Sequence, residues 1–127
     1  MKAYGEVAVT AVRLCAKLGH DPRTAWNTAA SQQFPLSASL QAKSCPRGAF
    51  LGLCAADLVR GVKAQGSVGR LGKNAQYAID AVRFLRAAKA TNLSPLALWR
   101  EVGRGKAHNS QMDVVLALWS RGLIQGS

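Results

Sequence analysis

The sequence predicts an all-α protein, and three observations predict it. Apolar residues recur at helical spacing, cap signals delimit the runs, and the second half of the chain restates the first. Val7, Ala11, Leu14, Cys15 and Leu18 fall at i, i+4, i+7, i+8 and i+11, one stripe of a helix. Asp21-Pro22 and Ser94-Pro95 each place a capping acceptor before a proline at the first helical position. Tyr77, Ala81, Phe84, Leu85 and Ala88 repeat the first stripe position for position.

Taken in order, the first helix runs from Gly5 to Leu18 and is stopped by Gly19. A second opens at Asp21-Pro22, carries Ala25, Trp26, Ala29 and Ala30, and fades in Ser31-Gln32-Gln33. Residues 34–42 read as a loop containing one helical turn. The third helix spans Ser44 to Gly61: polar and basic at its start, apolar in its body, with a glycine stop. From Val62 to Lys73 the composition shifts, with Gly66, Gly69 and Gly72 alternating with Lys63, Arg70 and Lys73. No acid occurs between Asp57 and Asp80, so this is a basic, glycine-rich linker.

After the linker the pattern restarts. Ala78–Phe84 repeats Ala8–Leu14, and Ser94–Trp99 repeats Asp21–Trp26. In the last helix Val115, Leu116, Leu118 and Leu123 fall on Phe50, Leu51, Leu53 and Leu58. The expected architecture is therefore a single domain, 1–127, made of two pseudo-repeated three-helix units. These cover 1–62 and 74–127, are joined by 63–73, and share one core. Each unit alone is too small to bury its apolar faces. Trp26 and Trp99, at matched positions, are the expected anchors; whether Leu58–Val62 and Leu123-Ile124 each add a short strand after the third helix is left open by the sequence.

The runs Ala25–Ala30, Cys45–Cys54 and Lys106–Val115 resemble a family of small, uncharacterised bacterial proteins over nearly the whole chain. The resemblance implies a bacterial or phage origin and transfers no functional residues. More loosely, a trihelical unit ending in Arg121-Gly122-Leu123-Ile124 is similar to helix-turn-helix and winged-helix domains.

Charge narrows the function classes. Seventeen Lys and Arg face six Asp and Glu, a formal charge of +11, which favours a polyanion as partner. No charged-then-apolar leader opens the sequence, and the Ala49–Val59 run falls far short of the ~20 residues of a membrane span. The three cysteines are an odd number. Cys45 and Cys54 on one helix stand ~13 Å apart, beyond the ~7 Å limit for a disulfide. Reduced thiols and a cytoplasmic setting are the simplest account.

Chemistry is expected at the N-terminal starts of the two third helices. Lys43, Ser44, Cys45 and Arg47 surround one; Lys106, His108, Asn109, Ser110 and Gln111 surround the other. A helix N-terminus offers free N–H groups and the positive end of a dipole, so nearby cations make it an anion site. The expected phosphate-binding set is Lys43, Ser44, Arg47, Arg60, Lys63, Arg70, Lys73, Lys106, His108, Asn109 and Gln111. The third helix itself carries no base-reading side chains from Gly48 to Ala56, so phosphate contact is favoured over major-groove reading.

Other chemistry is thinly represented. Two histidines, no Cys-x-x-Cys and scattered acids argue against a metal, and no cofactor motif occurs. Cys45, His108 and Asn109 would form a thiol–imidazole–amide set only if the starts of both third helices met. Ser110 matches Cys45 in the repeat, which marks that position as a helix start rather than a nucleophile. The expected function is non-enzymatic binding of a phosphate-bearing polyanion, nucleic acid foremost. The alternatives are a nucleotide or phosphometabolite sponge and a protein-interaction module or phage inhibitor.

Overall fold

The computed structural model describes residues 2–63, 72–89 and 92–125. Among them it shows seven helices: α1 (Ala3–Leu18), α2 (Pro22–Gln33), α3 (Ala38–Gln41), α4 (Ser44–Ala55), α5 (Lys73–Ala88), α6 (Pro95–Val102) and α7 (Gln111–Ser120). The protein is all-α. After α4 and α7, where the sequence leaves a short strand open, the described residues form one antiparallel bridge between Val59 and Ile124.

The cap chemistry works as its residues dictate. Asp21 Oδ2 accepts the N–H of Thr24 at 3.1 Å, and Ser94 Oγ accepts that of Ala97 at 3.1 Å. Gly19, at φ 69°, closes α1 in the left-handed conformation that glycine takes without penalty. The α4 helix stops sooner than its apolar run suggests. Asp57 takes φ 60°, and the N–H groups of Asp57 and Leu58 turn back onto the carbonyls of Cys54 and Leu53. Aspartate is one of the few side chains that tolerates this conformation, so Gly61 is not the stop.

The core face of α1 is wider than one stripe because α2 covers one side of the helix and α7 another. Tyr4, Val7, Ala8, Val9, Ala11, Val12 and Cys15 are all buried, whereas Leu18, expected on the stripe, lies in the last turn and is 65% exposed. The α5 helix packs likewise on α4, burying Ala75, Ala78, Ile79, Ala81, Val82 and Leu85 and leaving Ala88 exposed. Trp26 and Trp99, the expected anchors, are both core residues. Trp26 packs on Tyr4 and Phe50, and Trp99 on Tyr77 and His108. The α3 turn has no counterpart in the second half, where residues 103–110 form no helix.

Positions matched in the two halves of the sequence meet in space. Arg60 donates its N–H to the Leu123 carbonyl, and Gln125 donates to Leu58, each at 2.8 Å, on either side of the Val59–Ile124 bridge. Two helix crossings also correspond. A Cβ placed on Gly5 would lie 2.8 Å from Cβ of Ala117, and one on Gly52 would lie 2.2 Å from Cβ of Ala75. In each crossing one glycine lets an alanine-bearing helix approach closely. Both glycines lie in the first half, Gly5 on its first helix and Gly52 on its third, and both alanines lie in the second.

Candidate functional site

The long helices share one polarity. Gly5 in α1 lies against the Asp113 carbonyl in the first turn of α7. The first turns of α4 and α5 meet where Gly48 faces Cβ of Asn74. Asn74 Oδ1 in turn accepts a hydrogen bond from Gln111 Nε2, the first residue of α7, at 3.0 Å. Lys43, just before α4, holds its ammonium 6.0 Å from the centre of the Tyr4 ring in α1. The N-termini of α1, α4, α5 and α7 therefore gather at one end of the molecule. Their C-terminal ends gather at the other, where Gly61 approaches Ala16 and Arg86 Nη2 donates to the Gln125 carbonyl.

What the N-cap residue's own side chain does separates these four helices from the rest. The α2, α3 and α6 helices are each capped by their own N-cap side chain, Asp21, Ser37 and Ser94. The N-cap residues of α1, α4, α5 and α7 are Lys2, Lys43, Gly72 and Ser110, and none provides such a cap. Lys2 and Lys43 place a cation where a helix ordinarily takes an anion, and Lys73 does so at the first position of α5. Glu6 and Asp113 are the acids in these first turns, and Arg121 pairs with Glu6 at 3.5 Å. Aligned dipoles carry about half a charge each at their N-termini, so four of them amount to about +2 before any side chain is counted.

The start of α7 is held by a histidine. His108 Nε2 accepts the N–H of Met112 at 3.1 Å, a bond that only the neutral imidazole can make. Burial lowers the His108 pKa; Asp113 opposes this and Lys43 adds to it. Gln111 is 2% exposed and fully engaged, since its Oε1 accepts the Asn109 N–H at 2.7 Å while its Nε2 reaches Asn74. Trp99 fixes the preceding loop by donating its indole N–H to the Lys106 carbonyl at 2.7 Å.

The residues expected from the sequence therefore divide. Lys43, Ser44, Lys73, Lys106 and Asn109 lie around the gathered N-termini and reach solvent. His108 and Gln111 lie there too, with their Nε2 atoms and the Gln111 Oε1 committed to the fold. Arg47 lies in the same turn of α4 but lines a crevice of about 190 Å³ with Asn27 and Gln41, on the side of α2 and α3. Arg60 and Lys63 follow the far end of α4, ~18 Å along its axis, where Arg60 Nε donates to the Ile124 carbonyl at 3.4 Å. Arg70 and the linker from 64 to 71 lie outside the described residues.

The His108 Nε2 lone pair, which a thiol–imidazole set with Cys45 would use, is taken by the Met112 N–H. Among the described residues no group of three or more His, Cys, Asp or Glu could hold a metal, and no helix is long and apolar enough to cross a membrane. Sequence reasoning missed Asn74, which links three helix starts, and Lys2, which shares the N-cap role of Lys43. The usable signal was lysine standing twice where Ser, Thr, Asp or Asn is preferred.

No curated protein and no solved structure matches the chain. A family model does, over residues 1–125, and the chain belongs to that family of unknown function (DUF6979).

Proposed function

We propose that the protein is a non-enzymatic binder of a phosphate-bearing polyanion, nucleic acid foremost, and that it engages the polyanion at the end where α1, α4, α5 and α7 begin. The observation that carries this reading is the coincidence of four gathered helix N-termini with Lys43, Lys73 and Lys106, the charge of Lys2 being offset by the acids beside it. Parallel dipoles repel one another at that end, and lysines there add to the repulsion. A bound phosphate offsets both, accepting from first-turn N–H groups and pairing with the ammonium groups. The α4 and α7 bodies are buried in the core, so contact is with the backbone of the nucleic acid and not with base edges in a groove. This differs from the helix-turn-helix mode.

The bacterial cytoplasm fits three unpaired thiols and the family resemblance. The two halves, 1–62 and 74–127, are proposed copies of one trihelical unit, supported by the reciprocal bonds at the bridge and the paired glycine crossings.

Fluorescence-anisotropy titration with DNA and RNA at increasing salt tests the function. Binding at low salt that weakens steeply supports it. Binding that is absent, or indifferent to salt, removes it.

A further inference from the structure

A cleft of about 380 Å³ opens between the first turns of α1, the start of α6 and one flank of α7. Leu93, Leu116 and Trp119 give it an apolar lining, and Lys2, Asp113 and Arg121 give it a charged one. Gly5 and Asp113, which meet at the α1–α7 crossing, also line it, so the cleft adjoins the gathered N-termini. Trp119 is half-buried, and its indole N–H has no partner among the described residues. In the repeat it stands where Cys54 is 2% exposed, so that position fills its share of the core without a large aromatic. Trp26 and Trp99, by contrast, are 0% and 5% exposed.

We propose that this cleft receives a nucleobase of a single-stranded nucleic acid whose phosphates lie on the adjoining helix N-termini. The proposal rests on the polyanion reading of that end. The charges around the cleft decide what enters it. Lys2 and Arg121 are balanced by Glu6 and Asp113, so the cleft has no excess charge to hold a phosphate and favours a neutral ring. An indole face stacks on any base, which gives affinity without sequence preference. Leu93 and Leu116 extend the apolar surface beside it. A duplex keeps its bases stacked internally and presents none to such a cleft.

The test uses the full chain and its own tryptophan fluorescence, since Trp119 is the indole that a ligand reaches. The probes are a short oligodeoxyadenylate, an abasic oligomer of equal length and a duplex of equal length, all at low salt. Expected is quenching by the single strand alone, with the abasic oligomer binding silently. Trp119→Leu should weaken single-strand binding about 5- to 150-fold and leave abasic binding unchanged. Trp119→Phe should retain most of the affinity. Equal affinity for single strand and abasic oligomer, with no quenching in the unaltered protein, overturns the base cleft and leaves the polyanion reading standing. Failure of all three probes to bind overturns both. The quenching comparison needs no variant, so it decides the matter even if Trp119→Leu does not fold.

Discussion

His108 shows how one side chain can serve the fold at a position that, read from sequence alone, looks like a ligand-binding cation. Its Nε2 lone pair caps α7 through the Met112 N–H, and burial, the larger influence, lowers its pKa below the ordinary 6.5. The folded state therefore binds its proton less readily than the unfolded chain. The stabilisation is complete above about pH 6.5 and is lost as pH falls through the lowered folded value. Chemical denaturation between pH 8 and 5 should show that loss, and His108→Asn, which can cap without titrating, should flatten it. His108→Ala should cost about 0.5–2 kcal/mol at pH 8. An unchanged pH dependence in His108→Asn would locate the titration elsewhere. The thiols divide in the same way by environment. Cys15 and Cys54 are buried, and burial pushes both thiols up, Cys54 furthest. Native labelling with a thiol reagent should modify Cys45 alone, and labelling in denaturant all three. Native modification of Cys54 would contradict its placement in the core.

At the scale of elements, much was legible in the sequence, and the reasons are local. Asp21-Pro22 and Ser94-Pro95 fix helix starts through their own side chains, and Gly19 fixes a stop through its φ, so neighbours along the chain suffice to predict them. The end of α4 was not legible, because the apolar run continues past Asp57 into the bridge and only the backbone turn separates the two. Nor was the role of Gly52, which depends on α5 and lies far along the chain. Alanine ordinarily gains up to about 1 kcal/mol over glycine inside a helix. Here a Cβ would sit 2.4 Å from the Ala75 Cα, a backbone atom that cannot move aside, so the clash wins. Gly52→Ala should destabilise by about 1–3 kcal/mol. Adding Ala75→Gly should recover only part of that, since it removes the Ala75 Cβ and leaves the Ala75 Cα in place. Thermal or urea melts of the single and double variants check this. A double variant as unstable as the sum of its parts would mean that the crossing does not work this way.

The whole molecule decides where the charge goes, and this was the least legible level. The positions of seventeen basic residues along a chain cannot say which of them share a face. Packing α1 on α7 and α5 on α4 in one sense brings Lys2, Lys43, Lys73 and Lys106 to one end and sends Arg60 and Lys63 to the other. The starts of α4 and α7 were legible as helix starts with basic and polar residues around them, because the signals that open a helix are local. Their convergence through Asn74 was not, because it arises from three elements distant in sequence. The measurement that bears most directly on the proposed polyanion site is the salt dependence of single-strand binding by two triple variants. One carries Lys43→Gln, Lys73→Gln and Lys106→Gln; the other carries Lys17→Gln, Arg23→Gln and Lys63→Gln, with the same net charge but away from the gathered N-termini. Removing one lysine–phosphate pair should flatten the log–log slope by about 0.7, so the first variant should lose about two units of slope and the second much less. Equal flattening in both variants, or no binding by the unaltered protein at low salt, would contradict a polyanion site at the gathered N-termini.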